Sequence, residues 1–184
     1  MSIKRILEPN RQIDVIHETD VLVIGSGPGG LSAALASARC GVDTTLIERF
    51  GCFGGNITVV GVEGFAWYRH EKTIEAGGIG VEFEEVAKEM GAAVPESQSL
   101  SYELDSEGFK VVADKLVLDA GIHPMLHRSF SMPLMEGNRI VGVILESKAG
   151  REAVLSKVVI DATGDADVLK IGLNSLVAGE GNGG

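Results

Sequence analysis

The chain has 184 residues, 45% of them hydrophobic, which supplies apolar material for one globular domain and excludes a disordered or low-complexity protein. A formal charge of −10 and a pI near 4.8 argue against nucleic acid and anionic membrane surfaces as partners. No run reaches the about 18 apolar residues of a membrane span, residues 1–20 do not read as a secretory leader, and two cysteines make no disulfide framework. The reducing cytoplasm is the expected compartment.

Residues 1–19 read as a polar lead-in, with a short extended piece over 12–17. The first strand, 21–24, is a short apolar run of the kind buried on both faces. It runs directly into Gly25-Ser26-Gly27-Pro28-Gly29-Gly30, a G-x-G-x-x-G between strand and helix. Gly25 permits the tight turn, Gly27 opens the backbone to a pyrophosphate, and Gly30 lets the helix pack on the strand. The helix spans about 29–40, with Cys40 as a buried small hydrophobe near its end and Gly41 as its stop. Its N-terminus offers free N–H groups and about half a positive charge to phosphates. A second strand, 44–47, ends in Glu48, about 20 positions beyond the glycines, where a ribose-binding carboxylate is expected. The same charge would repel a 2′-phosphate and so disfavours NADP.

Residues 49–78 form a long glycine-rich segment that holds Phe53, Phe65, Trp67, Tyr68, Arg69, His70 and Glu71. Irregular segments of this length are usually functional or mobile. Apolar spacing predicts a helix over 80–90, stopped by Gly91, and another over 106–120, stopped by Gly121. Strands follow at 122–127, 129–135, 139–147 and 152–155, joined by short turns as in an antiparallel meander. A near-continuous apolar strand at 157–162 is expected to be buried and parallel, returning to the first sheet. The organisation expected is a lead-in over 1–19, one incomplete nucleotide-binding domain over 20–170, and a Gly-rich tail over 171–184 without a further folding unit.

Three segments together carry a family resemblance: Val23-Ile-Gly-Ser-Gly-Pro-Gly-Gly30, Leu46-Ile-Glu-Arg-Phe-Gly-Cys-Phe-Gly-Gly-Asn56 and Val158-Val-Ile-Asp-Ala-Thr-Gly-Asp-Ala-Asp167. The chain resembles the FAD-dependent oxidoreductases of the glutathione-reductase-like flavoprotein fold over roughly residues 14–168. The resemblance implies an α/β, Rossmann-like FAD-binding domain with a central parallel sheet plus a β-meander. It implies that Gly25, Ser26, Gly27, Gly29 and Gly30 cradle the FAD pyrophosphate, and that Glu48 binds the adenosine ribose with Arg49 beside it. Gly54, Gly55 and Asn56 would let their loop run close to the cofactor, and Ala162, Thr163 and Gly164 would cap the return strand near it. Asp165 and Asp167 read more simply as acids at a helix N-terminus.

Two departures from the family pattern bear on function. Disulfide reductases of this fold carry a cysteine pair after the Gly-Gly, and Asn56-Ile57-Thr58 has none. Related enzymes also continue into a substrate domain and a second flavin motif, so the expectation is the N-terminal part of a larger flavoenzyme whose other half is a further domain or a partner chain. The expected reaction is hydride transfer between a small organic substrate and the flavin. Tyr68, Trp67, Arg69 and His70 are the candidates for substrate contact, against a plainer reading as packing and solvated charge. His17, His123 and His127 are scattered, and no metal site is expected. Two other readings stay open: an NAD-dependent or thiazole-synthase-like protein using the same scaffold for another dinucleotide, and a non-catalytic nucleotide-binding fragment.

Overall fold

A computed structural model describes residues 8, 10–64, 69, 70, 73, 74, 77–96 and 101–180. Its centre is a six-stranded sheet in the order β7-β2-β1-β10-β9-β8. The strands are β1 (Asp14–Ile24), β2 (Thr44–Ile47), β7 (His123–Met125), β8 (Ser129–Glu136), β9 (Arg139–Ser147) and β10 (Gly150–Asp161). β7, β2, β1 and β10 run parallel, whereas β10, β9 and β8 pair antiparallel as a meander. This is the expected α/β architecture, a parallel sheet continued by a β-meander.

Helices α1 (Pro28–Arg39), α2 (Ile79–Glu89) and α3 (Ser106–Asp119) fall close to their expected bounds. Strand periodicity divides the apolar residues between two cores. Val23 and Leu46 pack with Leu31 and Leu35 of α1, Phe83 of α2, and Phe109 and Val112 of α3. The neighbouring Leu22, Ile24 and Ile47 face the other core with Val143, Leu145, Val154 and Val168. Phe83 and Phe109 meet edge to face, centroids 6.0 Å apart, joining α2 to α3. The side chain of Asp105 caps α3 by accepting from the Glu107 N–H at 2.9 Å.

Several expectations are corrected. β1 begins at Asp14, so residues 14–19 belong to the sheet and not to a lead-in. The pieces expected at 152–155 and 157–162 are one strand, β10, because it pairs with β1 along nearly its whole length while its first half also pairs with β9. Residues 122–127 do not join the meander. Their strand, β7, pairs with β2 at the opposite edge. The return strand is parallel as expected but only partly covered, with Val158 51% exposed. Beyond Asp161 the chain forms α4 (Asp167–Glu180), which runs across the expected boundary at 170 and has Asp167 in its first turn, in line with the plainer reading of that residue as an acid at a helix N-terminus. α4 lies over the meander rather than over Val158: a Cβ on Gly172 would come 3.8 Å from Ile140 and 3.9 Å from Pro133. Cys40 is exposed, because it sits at the C-cap of α1 beyond the core-facing turns. Short hairpins not foreseen pair β3 (Arg69–His70) with β4 (Thr73–Ile74), and β5 (Ala93–Pro95) with β6 (Tyr102–Leu104).

Candidate nucleotide-binding site

The four parallel strands end at one edge, and backbone hydrogen bonds hold the residues that leave them. The Gly25 N–H donates to the Ile47 carbonyl at 2.8 Å, Glu48 to Met125 at 2.9 Å, and Ala162 to Ile24 at 2.9 Å. A cleft of about 800 Å³ opens there. The C-terminal ends of parallel strands are where α/β sheets bind ligands, because loops converge there and helices begin.

The glycine-rich turn forms one wall. Gly25 has φ +96°, and a Cβ on it would lie 2.4 Å from the Ala162 carbonyl oxygen. A Cβ on Gly30 would lie 1.9 Å from the Gly25 carbonyl oxygen and 3.2 Å from the Ala162 Cβ. These two glycines are therefore needed by the fold itself. Gly27 differs. It is the N-cap of α1 with φ −60° and ψ 176°, a conformation open to any residue, and a Cβ there would meet nothing within 4 Å. The space beside it belongs to the cleft. No side chain caps α1, Pro28 follows the cap, and no acid sits in the first turn. The positive end of the helix dipole is thus uncompensated where Gly27, Gly29 and Gly30 line the cleft.

Glu48 forms the floor beside this turn and is 5% exposed. Its Oε2 accepts from the Ser26 N–H at 2.9 Å and from the Ser26 hydroxyl at 2.6 Å. Its Oε1 accepts from the Phe50 N–H at 3.0 Å. The buried carboxylate is therefore satisfied by donors from both flanking loops, as a buried charge requires. Arg49 is exposed at the rim, its guanidinium carbon 4.8 Å from the centroid of the Phe50 ring.

The loop after β2 returns to the glycine turn. The Gly54 N–H donates to the Ser26 carbonyl at 2.9 Å, and a Cβ on Gly55 would lie 2.6 Å from the Gly27 Cα. Gly55 and Asn56 line the cleft, but Gly54 does not. The need for glycine at 54 is conformational, with φ +111° and the Thr58 side chain against it. Ala162, Thr163 and Gly164 complete the opposite wall, so every expected binding residue except Gly54 borders one cleft.

Asp161, Arg128 and Phe130 are among the cleft residues that lie outside the expected set. Asp161 closes β10 and holds the start of α4: its Oδ1 accepts from the Thr163 hydroxyl at 2.7 Å and N–H at 3.2 Å, and its Oδ2 from the Leu169 N–H at 3.0 Å. Burial raises the pKa of this carboxyl, but hydrogen bonds from Leu169, Thr163 and Val168 outweigh that and hold it below the ordinary value. The signal in the sequence was an acid and a threonine two apart before an apolar helical run. Arg128 enters from the β7–β8 connection and Phe130 from the start of β8. The Arg128 N–H donates to the Glu48 carbonyl at 3.0 Å and its Nε to Glu152 Oε2 at 3.1 Å. No local pattern announces them, since their partners lie on other strands.

The histidines are less scattered than their positions suggest. His17 and His123 stack with centroids 4.3 Å apart, and His17 Nε2 lies 3.1 Å from the Thr45 hydroxyl. Burial, then the charges of His17 and Arg128 against the opposing pull of Asp43, lowers the pKa of His123. Among the described residues, no group of three or more His, Cys, Asp or Glu side chains is placed to hold a metal ion. Trp67, Tyr68, Glu71 and Lys72 lie outside the described residues, as do the side chains of Arg69 and His70. Among the described residues, no helix is long and apolar enough to cross a membrane.

Comparison with known proteins agrees with this geometry. The chain is 32% identical over 163 residues to a thiamine thiazole synthase of Metallosphaera sedula, covering 83% of this chain and 56% of that protein. In structure it is similar to THI4 of Thermovibrio ammonificans, with a TM-score of 0.60 at 21% identity, covering 84% of this chain and 61% of that one. A geranylgeranyl bacteriochlorophyll reductase-like protein of Thermoplasma acidophilum shares the fold with a TM-score of 0.56 at 20% identity, over 79% of this chain and 39% of that one. The chain thus spans little more than half the length of the curated relative. The profile of the FAD dependent oxidoreductases matches residues 20–183, nearly the whole sequence. The chain belongs to the FAD dependent oxidoreductase family, and FAD is its cofactor.

Proposed function

We propose that this chain builds the adenosine and pyrophosphate side of the FAD site in a larger oxidoreductase. The observation that carries the reading is the contrast among three glycines: Gly25 and Gly30 are closed in by backbone, while Gly27 leaves open space at an uncapped helix N-terminus. That opening fits a pyrophosphate. In this reading the turn Gly25 to Gly30 cradles the pyrophosphate, with the N–H groups of Gly27, Gly29 and Gly30 and the helix dipole facing it, while the N–H groups of Gly25 and Ser26 stay with Ile47 and Glu48. Glu48 accepts a ribose hydroxyl, Arg49 lies beside the adenosine, and Gly55, Asn56, Thr163 and Gly164 border the cofactor. FAD, when bound, supplies hydride chemistry with a small organic substrate. The chain's own residues bind and orient it. The span of the relatives that this chain does not cover would contribute the remainder, from further residues or a partner chain. Two unpaired cysteines suit a reducing cytoplasm.

The test is the visible absorption spectrum of the full chain after adding FAD and desalting. Retained flavin absorbance supports the reading, and Gly27→Val or Glu48→Ala should abolish it. Flavin lost from the wild-type chain as readily as from these variants would overturn it. A second reading is favoured by the thiamine thiazole synthase relatives: the cleft holds another adenine dinucleotide. NAD or ADP-ribose binding tighter than FAD in parallel titrations would select that reading.

A further inference from the structure

We propose that Ser26 is a positioning residue for ribose recognition, acting through Glu48, on the reading that Glu48 holds the ribose. Ser26 borders the cleft but is fully buried, and its hydroxyl is directed at Glu48 rather than into the open space. It instead donates to Glu48 Oε2 at 2.6 Å, on the same oxygen that accepts the Ser26 N–H at 2.9 Å. A carboxylate offers about four acceptor positions, two on each oxygen. Ser26 fills both on Oε2, and the Phe50 N–H fills one on Oε1 at 3.0 Å. One position remains, on Oε1, and Glu48 borders the cleft. Three short donors from two different loops fix the plane of the carboxylate before any ligand arrives. The Ser26 hydroxyl is the only side-chain member of that set. Without it, Oε2 keeps a single donor, and the carboxylate is freer to rotate or to turn both oxygens inward.

The experiment titrates the full chain with ADP and with 2′,3′-dideoxy-ADP by calorimetry, and compares the ratio of the two affinities within each variant. The ratio isolates recognition of the ribose hydroxyls from phosphate and adenine contacts and from any general damage to the fold. The wild type should prefer ADP by about tenfold or more, the yield of a hydrogen bond to a charged acceptor. Glu48→Gln should lose most of that preference. Ser26→Ala should lose several-fold, as should Ser26→Cys, which is close in size but a weak donor. The double variant Ser26→Ala/Glu48→Gln should fall no further than Glu48→Gln alone. If Ser26→Ala and Ser26→Cys keep the wild-type ratio while Glu48→Gln loses it, Ser26 has no such role and the reading of Glu48 stands. If the wild type binds ADP no better than the dideoxy analogue, or if Glu48→Gln keeps the preference, the reading of Glu48 falls and the role of Ser26 with it.

Discussion

Glycines within one short motif do different work, and substitution should separate them. At Gly30 an added methyl would collide with the Gly25 backbone. Gly30→Ala is expected to destabilise the chain by about 3 kcal/mol, seen as a lower urea midpoint with or without ligand. At Gly27 the methyl meets nothing, and the backbone angles suit any residue. Gly27→Ala should therefore leave stability within about 1 kcal/mol of wild type while weakening FAD by about 1.4 kcal/mol or more, tenfold in affinity. Equal losses of stability in the two variants would contradict this division. The motif spacing was legible in the sequence because it is local. That Gly54 serves its own backbone and Thr58, rather than the cleft, was not, because this depends on how the loop returns to Ser26.

At the level of elements, a helix start near Asp165 and Asp167 is legible in the sequence, but the tie that Asp161 makes between β10 and α4 is not. Asp161 ties the two by accepting from Thr163 and Leu169. Asp161→Asn should cost about 1–2 kcal/mol near neutral pH. The sign of the pH effect follows from the lowered pKa of the folded carboxyl. Its stabilisation is complete above the unfolded value of about 3.9 and is lost as pH falls through the folded value. Thermal melts of wild type and Asp161→Asn should therefore differ near pH 7 and converge towards about pH 2. A difference that persists unchanged at low pH would show that Asp161 acts without its charge. Helices α1 to α3 were read correctly because each presents apolar residues at helical spacing to a single core. β5 and β6 were not, since strands of three residues carry too little pattern to register.

At the scale of the whole molecule, one sheet separates two cores, so each face depends on the other. Leu35 lies in the helical core and Leu145 in the core beneath the meander, and both are fully buried. Leu35→Ala and Leu145→Ala should each cost about 2–5 kcal/mol. Fluorescence and circular dichroism should report one coincident transition in both variants, since a shared sheet cannot unfold on one face alone. Two separate transitions would show that the cores fold independently. On the proposed function FAD would sit in the cleft bordered by the strand ends and the start of α1, and at about a hundred times its dissociation constant it should raise the melting temperature by on the order of 5–10 °C.

The sequence by itself determined what rests on neighbours along the chain. The glycine turn, the acid after β2, the helical periodicities and the hairpin turns are all written within a few residues of the feature they specify. Together they point to a flavoprotein-like α/β fold and to the glycine turn, Glu48, Arg49, the Gly55-Asn56 loop and Ala162 to Gly164 at the border of the cleft. Only the tertiary structure decided what rests on distant partners. It set β7 beside β2 rather than in the meander and joined two expected strands into β10. It brought Arg128 and Phe130 to the cleft and stacked His17 on His123. It also showed Glu48 already held by Ser26. Those features are fixed by sheet register and by hydrogen bonds between segments far apart in the chain, and no local pattern encodes either.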